Sequence, residues 1–484
     1  MSSARSLEWY VDEEPDEAPR ALDAIESPIG VDHSLVTAVR DSVTELLATR
    51  LQASPVSDPA VRRELARALA ADVLATRSVQ RAHAGLPAWT ASQEFAISDA
   101  VIAALFGLGR LQPLVDDADI ENIEANGCDD VWLSYADGRQ ERGPAIAASD
   151  AELIELIQSL GARTGSSERS FTTASPSLHL KLDDGSRLAA MAWTTPRPQV
   201  VIRRHRIRDV DLGDLVRLGT IDTSLEAFLR AALHSGKNIV VTGLQNAGKT
   251  TLIRALANEF APIERFATIE REYELHLHDL PHRHPRVVAM EAREGSAERD
   301  ASGRGAGEVS LSQLVVDALR MNVRRIIVGE VRGAEVLPML EAMSTGDGSL
   351  CTLHARSANR AFDRLVTLCL SAGVGMTDTF AYRLAAGAVD LVVHISLSDD
   401  EGTSGRRQRF VSEVVEIDGI GEFGRPVMTT VFGPGRDGRA VPKHSPQCLP
   451  DLVRRGFDPA FLDQAEGTWA SSVPVGLLAP GAAR

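Results

Sequence analysis

One run of eight residues carries the clearest chemistry in the sequence: Gly243, Leu244, Gln245, Asn246, Ala247, Gly248, Lys249 and Thr250. The run fits the pattern G-x-x-x-x-G-K-[ST] in full. Glycines allow the backbone of such a loop to turn its N–H groups toward a β-phosphate, and the helix that follows adds positive potential. Lys249 is then predicted to reach the β- and γ-phosphates, and the Thr250 hydroxyl to ligate Mg²⁺. We therefore predict a nucleotide site from Gly243 to Thr251.

Two acidic residues end apolar stretches and are candidates to complete this site. Glu330 closes the run IIVGE, and Glu270 lies near the start of TIEREYEL. A carboxylate at the end of a buried strand can orient an attacking water and hold the magnesium shell, as hydrolysis requires. The alternatives are a strand cap for Glu330 and a solvated acidic turn for Glu270. Beside a phosphate loop we favour a catalytic and Mg²⁺-binding role for Glu330, helped by Glu270.

Four further residues are weaker candidates when taken alone. His354 ends a β-like run after the glycine-rich TGDG, although a lone histidine is more often structural. Arg332 follows Glu330, and its alternative role is an ion pair with Glu335. Arg203 and Arg204 begin a basic run that ends at residue 208, which could be a solvated edge or a phosphate clamp.

The surrounding elements must bring these residues together. Apolar runs NIVVTG, RRIIVGE and LVVHISL alternate with helical patterns between residues 223 and 433, which predicts a parallel sheet covered by helices. The phosphate loop follows the first of these runs and opens a helix with an apolar face at Leu252, Leu256 and Phe260. A polar loop at 293–307 interrupts the alternation.

We divide the chain into six parts on composition and periodicity. Residues 1–32 form a predicted disordered acidic tail, 33–90 a helical extension, 91–210 an α+β domain, 211–222 a linker, 223–436 the α/β domain and 437–484 a C-terminal tail. The helical extension could be a bundle or an arm onto a partner.

Composition argues against several classes of protein. The net charge of -16 and an aromatic content of 5% argue against a protein that grips nucleic acid directly. Four widely spaced cysteines form no CxxC pair, so neither a zinc site nor a disulfide framework is expected. No run approaches the roughly 18 apolar residues that span a bilayer, and the acidic N-terminus lacks the apolar core of a signal peptide. We expect a cytoplasmic protein without membrane insertion.

Four segments, in this order, resemble the motifs of the type II/type IV secretion ATPases, which power pilus assembly, protein secretion and conjugation. GLQNAGKTT resembles the family's Walker A motif, TIEREYEL its aspartate box, LRMNVRRIIVGEVRGAE its Walker B block and STGDGSLCTLHARS its histidine box. The resemblance covers roughly Leu105 to Phe432. The tight-adherence (Flp) pilus and conjugation-type members are the most similar subgroup.

This resemblance implies an α/β fold, with a RecA-like P-loop domain after an α+β N-terminal domain and N-terminal helices. It implies ATP and Mg²⁺ as cofactors, a homo-hexamer, and an integral membrane platform protein as partner at the inner face of the cytoplasmic membrane. Arg203 and Arg204 match a basic pair that faces the nucleotide from the N-terminal domain. Arg332 and His354 are implied to sense the γ-phosphate.

Two alternatives stay open. Arg271 stands where the family's aspartate box usually has Asp, so the protein could be a nucleotide-binding scaffold with impaired hydrolysis. A conjugative DNA pump or helicase-like motor is the other alternative, because the phosphate loop alone permits it.

Overall fold

In the computed structural model the described residues are 32–135, 138–163, 171–204, 209–293, 305, 307–373, 375–399 and 407–469. The predicted acidic tail up to residue 31, nearly all of the polar loop at 293–307 and residues 205–208 of the basic run lie outside them. The chain divides into two compact units. The first comprises Met1–Leu133 and Glu141–Arg203, and the second comprises Ser134–Gln140 and Arg204–Arg484.

The α-helices of the described residues are numbered in chain order: α1 (His33–Ala53), α2 (Pro59–His83), α3 (Ala91–Phe106), α4 (Gln112–Asp116), α5 (Asp150–Arg163), α6 (Leu212–Arg217), α7 (Thr223–His234), α8 (Lys249–Ala257), α9 (Leu311–Ala318), α10 (Val336–Thr345), α11 (Ala358–Ala372), α12 (Asp378–Ala388) and α13 (Leu449–Arg454). None of these helices is long and apolar enough to cross a membrane.

The strands are numbered in the same way: β1 (Ile120–Asn126), β2 (Val131–Tyr135), β3 (Gln140–Arg142), β4 (Ser177–Lys181), β5 (Arg187–Met191), β6 (Gln199–Arg203), β7 (Ile239–Gly243), β8 (Phe266–Glu270), β9 (Val288–Glu291), β10 (Arg325–Val328), β11 (Leu350–His354), β12 (Leu391–Asp399), β13 (Arg407–Ile420), β14 (Pro426–Pro434) and β15 (Ala440–Pro442). They form two separate sheets.

The first unit begins with three helices that share one apolar core. Val39 of α1, Ala70 of α2 and Val101 of α3 are fully buried in it. The helical part therefore continues through α3 and does not end near residue 90. A six-stranded sheet follows in the order β3-β2-β1-β6-β5-β4, in which β1, β6, β5 and β4 pair antiparallel.

The second unit contains a nine-stranded sheet in the order β15-β14-β13-β12-β7-β11-β10-β8-β9. Strands β12 to β9 of this order run parallel, and β13 to β15 extend the sheet antiparallel. Side chains of β7 alternate between two cores, with Ile239 and Val241 in one and Val240 in the other. Apolar packing on both faces explains why this strand reads as a continuous apolar run, and it confirms the predicted parallel sheet covered by helices.

Two segments differ from the predicted domain boundaries. Residues 211–222, predicted as a linker, contain α6, whose Leu212 and Leu215 are buried in the core of the second unit. Residues 437–469, predicted as part of a tail, contain β15 and α13, and their Leu452 and Phe457 join the same core. Short elements bounded by Gly and Pro carry too little periodicity to be read as packed structure.

The four cysteines are free thiols. Cys128, Cys351 and Cys369 are buried, and Cys448 is partly exposed.

Candidate functional site

The predicted phosphate loop joins a central strand to a helix. Strand β7 ends at Gly243 and α8 begins at Lys249, so the loop lies at the carboxyl edge of the parallel strands. A Cβ added to Gly243 would lie 2.4 Å from the Ile395 carbonyl oxygen, and Gly248 has a φ of +99°. Both positions therefore require glycine, one for space and one for backbone conformation.

Lys249 is buried within this loop. Its Nζ donates hydrogen bonds to the carbonyl oxygens of Leu244 at 2.8 Å and Gly243 at 3.2 Å. It also lies 3.3 Å from Nδ1 of His354. The Lys249 ammonium is thus held by backbone carbonyl groups at the start of the loop. His354, predicted to sense the γ-phosphate, contacts this ammonium directly.

Arg409 supports the same loop and was missed from the sequence. It lies on β13 and its Nε donates to the Asn246 carbonyl oxygen at 2.9 Å. Asn246 has a φ of 61°, in the left-handed region that Asn tolerates better than most residues. No spacing rule connects the two, because 163 positions separate them in the chain.

Glu330, His354 and Arg332 form one cluster at the neighbouring strand ends. Nε2 of His354 lies 2.7 Å from Oε1 of Glu330, and Nη2 of Arg332 lies 2.6 Å from Oε2. Burial alone would raise the pKa of Glu330, but the contacts from His354 and Arg332 outweigh it and lower the pKa to about 2. The carboxylate is therefore ionised at neutral pH.

The Arg332 side chain pairs with Glu330 and leaves Glu335 to another role. Oε1 of Glu335 accepts hydrogen bonds from the backbone N–H groups of Arg332 at 2.6 Å and Gly333 at 2.8 Å. The alternative predicted for Arg332, an ion pair between its side chain and Glu335, is therefore wrong. Glu335 accepts hydrogen bonds from the backbone of Arg332 and Gly333 instead.

Glu270 ends β8 and is almost fully buried, at 2% exposure. Its Oε1 accepts backbone hydrogen bonds from Glu274 at 2.9 Å and Leu275 at 2.8 Å. Burial raises the pKa of Glu270 to about 7, although those two bonds partly oppose the effect. Arg271, at the position that departs from the family pattern, is exposed.

The second unit thus brings together most of the predicted site residues. The loop from Gly243 to Thr251, Glu330, His354 and Glu270 lie at the carboxyl ends of β7, β10, β11 and β8, which are neighbours in one sheet. Arg203 ends β6 in the first unit and Arg204 follows it. The clamp predicted for this pair stays a prediction.

A parallel sheet covered by helices, with a glycine-dependent loop at its carboxyl edge and an ionised carboxylate two strands away, defines a nucleotide-binding α/β domain of the RecA-like class. A family model described as "Type II/IV secretion system protein" matches residues 109–409, which is more than half of the chain. The chain belongs to this family, which confirms the resemblance drawn from its motifs.

Curated relatives carry names from the same systems. A Mycobacterium tuberculosis protein named "Putative conjugal transfer protein Rv3659c" is 31% identical over 301 residues, covering 60% of this chain and 81% of that protein. "Type IV secretion system protein PtlH" of Bordetella pertussis is 31% identical over 293 residues, which cover 55% of this chain and 81% of that protein.

Two solved structures are also similar to this chain. The VirB11 ATPase from the Brucella suis type IV secretion system is 26% identical with a TM-score of 0.33, covering 65% of this chain and 95% of that one. The Legionella pneumophila ATPase DotB is 20% identical with a TM-score of 0.46, and the match covers 64% of this chain and 80% of that one.

Proposed function

We propose that this chain hydrolyses ATP with Mg²⁺ and acts as a motor of pilus assembly or protein secretion. The observation that carries the proposal is the ionised carboxylate of Glu330, which lies against His354 and Arg332 beside the loop that holds Lys249. Hydrolysis needs, in addition to a phosphate-binding loop, a residue that can orient the attacking water, and an ionised carboxylate can do so.

The residues present fit ATP and Mg²⁺. Backbone N–H groups at the start of α8 and the ammonium of Lys249 suit the phosphates, and the Thr250 hydroxyl and Glu330 suit the metal, partly through water. Mg²⁺ usually takes only one or two protein ligands and completes its shell with phosphate and water. When bound, it would neutralise charge on the phosphate oxygens.

The chain's own residues supply the other parts of the reaction. Lys249 exchanges the carbonyl oxygens of the loop for phosphate oxygens, and its contact with His354 changes at that moment. Glu330, helped by Glu270, orients the attacking water. Arg332 and His354 respond to the γ-phosphate, and the pair at 203–204 clamps the nucleotide from the N-terminal domain.

The assembly belongs to the same proposal. We take the working form to be a homo-hexamer in the cytoplasm that acts on an integral membrane platform protein at the inner face of the membrane. Membership of the secretion family and the names of the relatives support this partner class. Nucleotide turnover that opens and closes two domains is a motion suited to a mechanical output.

The test is Mg²⁺-dependent phosphate release by the full chain, with light scattering for mass. Lys249→Ala is expected to lose nucleotide binding, and Glu330→Gln to retain binding while turnover falls about a hundredfold or more. Unchanged turnover in Glu330→Gln would overturn the assignment of that residue. A nucleotide-binding ring without turnover would favour the scaffold alternative, and Arg271→Asp would then be expected to restore hydrolysis.

Conjugative DNA transfer is the second candidate function. It is favoured by the relative named as a putative conjugal transfer protein. The net charge of -16 argues against a direct grip on DNA. Stimulation of phosphate release by DNA would favour this candidate, and no response would favour a protein cargo.

A further inference from the structure

Strand β13 holds the phosphate loop from outside the loop and its helix. Nε of Arg409 donates to the Asn246 carbonyl oxygen at 2.9 Å, and a Cβ added to Gly248 would lie 3.4 Å from Cδ of Arg409. A hydrogen bond from a charged donor is stronger than one between neutral groups. The arginine therefore covers the loop with its stem and restrains it with its guanidinium.

A second arginine near the loop, Arg254, binds backbone in another direction. It is a buried residue of α8, and its Nε donates to the Leu275 carbonyl oxygen at 3.0 Å. Arg254 therefore fixes the helix that follows the loop to the segment after β8. Arg409, in contrast, connects the loop to the antiparallel part of the sheet, which the proposed reaction has not used.

The neighbouring strand β12 supports the loop at the same place. Its pairing with β13 shifts register between His394 and Ile395, and an irregularity of this kind re-aims the side chains beside it. A Cβ added to Gly248 would lie 3.3 Å from Cδ1 of Ile395, and one added to Gly243 would lie 2.4 Å from the Ile395 carbonyl oxygen. The loop is thus packed closely against both strands.

The same half of β13 also binds residues 211–222, the linker segment. Val411 is fully buried, and its backbone N–H donates to the Thr220 carbonyl oxygen at 2.8 Å. Pairing of β13 with β14 begins at Val414, so Thr220 binds β13 before that strand pair starts. One residue therefore separates the arginine on the phosphate loop from the residue that holds the linker segment.

Thr220 lies between two helices that would follow its movement. Its N–H donates to the Leu215 carbonyl oxygen at 2.8 Å, within α6. Two residues later the buried Asp222 caps α7, accepting the Leu225 N–H at 2.8 Å. A shift of Thr220 would therefore reach the end of α6 and the start of α7.

We propose that Arg409 is a positioning residue that couples nucleotide in the phosphate loop to the linker segment. The inference rests on the proposed function and deepens it. When phosphate oxygens enter the loop and Lys249 leaves the loop carbonyl groups, the turn at Asn246 changes, and Arg409 carries the change into β13. Val411 then moves Thr220, because packed elements shift between discrete arrangements rather than deform continuously.

The test follows amide hydrogen exchange of the full chain with and without Mg²⁺ and ADP. In the wild type, ADP is expected to slow exchange in the phosphate loop and to change exchange at residues 216–224. Arg409→Met keeps an unbranched stem over the loop and removes the donor. The loop is therefore expected to stay protected by ADP in this variant, while the response at 216–224 is lost. Arg409→Lys retains a charged donor and is expected to recover part of the response.

A second readout uses the reciprocity of coupling between two sites. Gly219 has a φ of +71°, where a side chain strains the backbone, so Gly219→Ala perturbs Thr220 from within the linker segment. In the wild-type background this substitution is expected to change the ADP dissociation constant about fivefold or more, the lower end for coupled sites. In the Arg409→Met background it is expected to have no effect. A change of equal size in both backgrounds would overturn the proposal.

Arg425 provides a matched control at the far end of β13. It is exposed, and its guanidinium lies 4.6 Å from the centre of the Tyr382 ring. Arg425→Met is expected to leave the response at 216–224 as in the wild type. Loss of ADP protection in the loop itself in Arg409→Met would mean that Arg409 only maintains the shape of the loop, and would overturn the coupling role. If Arg409→Met does not fold, the same two measurements on Arg409→Lys decide, with a weakened response expected and an unchanged one contradicting the proposal.

The two proposals fail in different ways. A wild-type chain that binds no ADP would overturn the proposed function. A wild-type chain that binds ADP without a change at 216–224, or with the same change in Arg409→Met, would overturn only this inference.

Discussion

His354 contacts both charged groups on which the proposed reaction depends most. Its Nδ1 faces the ammonium of Lys249 and its Nε2 faces the carboxylate of Glu330. Because an ammonium can only donate, Nδ1 is the acceptor in the contact with Lys249. The histidine therefore lies between the lysine proposed to bind the phosphates and the carboxylate proposed to orient the water.

This link predicts that His354→Ala lowers kcat about 10- to 100-fold, the range for losing a partner that orients a functional ligand. Nucleotide affinity is expected to change little, since the loop from Gly243 to Thr251 and Lys249 itself are unaltered in this variant. Gln retains one hydrogen-bond donor and one acceptor. The kcat of His354→Gln is therefore expected to lie between the values of the wild type and of His354→Ala. Steady-state phosphate release checks this, and a fall in affinity with kcat unchanged would contradict it.

The sequence predicted the residues of the loop because that motif needs only consecutive positions. It also predicted Glu330 and His354, since each follows an apolar strand. Arg409 and Arg254 could not be found in this way, because their partners are backbone oxygens of distant segments and no side-chain pattern marks them.

At the scale of elements, α8 is anchored at the end away from the phosphate loop. Its C-terminal cap, Asn258, donates to the Val210 carbonyl oxygen at 2.7 Å, and its Oδ1 lies 2.7 Å from Nε2 of His284. His284 is 3% exposed, and burial lowers its pKa to about 4. A neutral histidine therefore holds the end of the helix that carries Lys249.

This anchor gives the second unit a stability that depends on pH. His284 stays neutral in the folded protein, whereas the unfolded chain takes up a proton near pH 6.5. The free energy of unfolding is therefore expected to fall between about pH 6.5 and pH 4, by up to about 3 kcal/mol. Arg283, His282 and Asp209 are the charged or titratable neighbours that act on it.

Urea unfolding at pH 7.5 and pH 5 checks this expectation. His284→Asn is expected to lose less stability between the two pH values than the wild type does. His282→Asn, at an exposed neighbour in the same segment, is the control and is expected to behave as wild type. The same pH-dependent loss in both variants would assign the effect to other groups.

The elements of the parallel sheet were predictable because strands buried on both faces read as apolar runs. Helix α6 was missed, although Asp211 and Asp214 form a capping box around its start. The capping box could be seen in the sequence. A helix of six residues, however, is too short to show the helical periodicity that would have supported it.

At the scale of the whole molecule, the last described residues close the core of the second unit. Phe457 meets Phe228 edge to face, with ring centroids 5.6 Å apart. Trp469 donates from its Nε1 to the Ala440 carbonyl oxygen at 2.8 Å, and Thr468 donates to the buried carboxylate of Asp222. The segment predicted as a tail therefore packs against α7 and β15 in the core of the second unit.

Phe457→Ala is expected to lower the free energy of unfolding by about 3–5 kcal/mol, the usual cost of emptying a buried phenylalanine site. Arg455→Ala changes an exposed residue two positions away and is expected to have almost no effect. Thermal unfolding of both variants, followed by circular dichroism, makes the comparison. Equal midpoints would mean that this segment contributes no packing energy.

The placement of the thiols decides how the protein can be labelled. Burial raises the pKa of Cys351 to about 12 and that of Cys369 to about 11, so neither offers a thiolate to a maleimide in the native state. Cys128 is buried as well, and Cys448 is a partly exposed residue in which burial again raises the pKa of the thiol. A fluorophore on a newly introduced surface cysteine would therefore report from one known position. Single-molecule spectroscopy could then follow movements during turnover without replacement of the native cysteines.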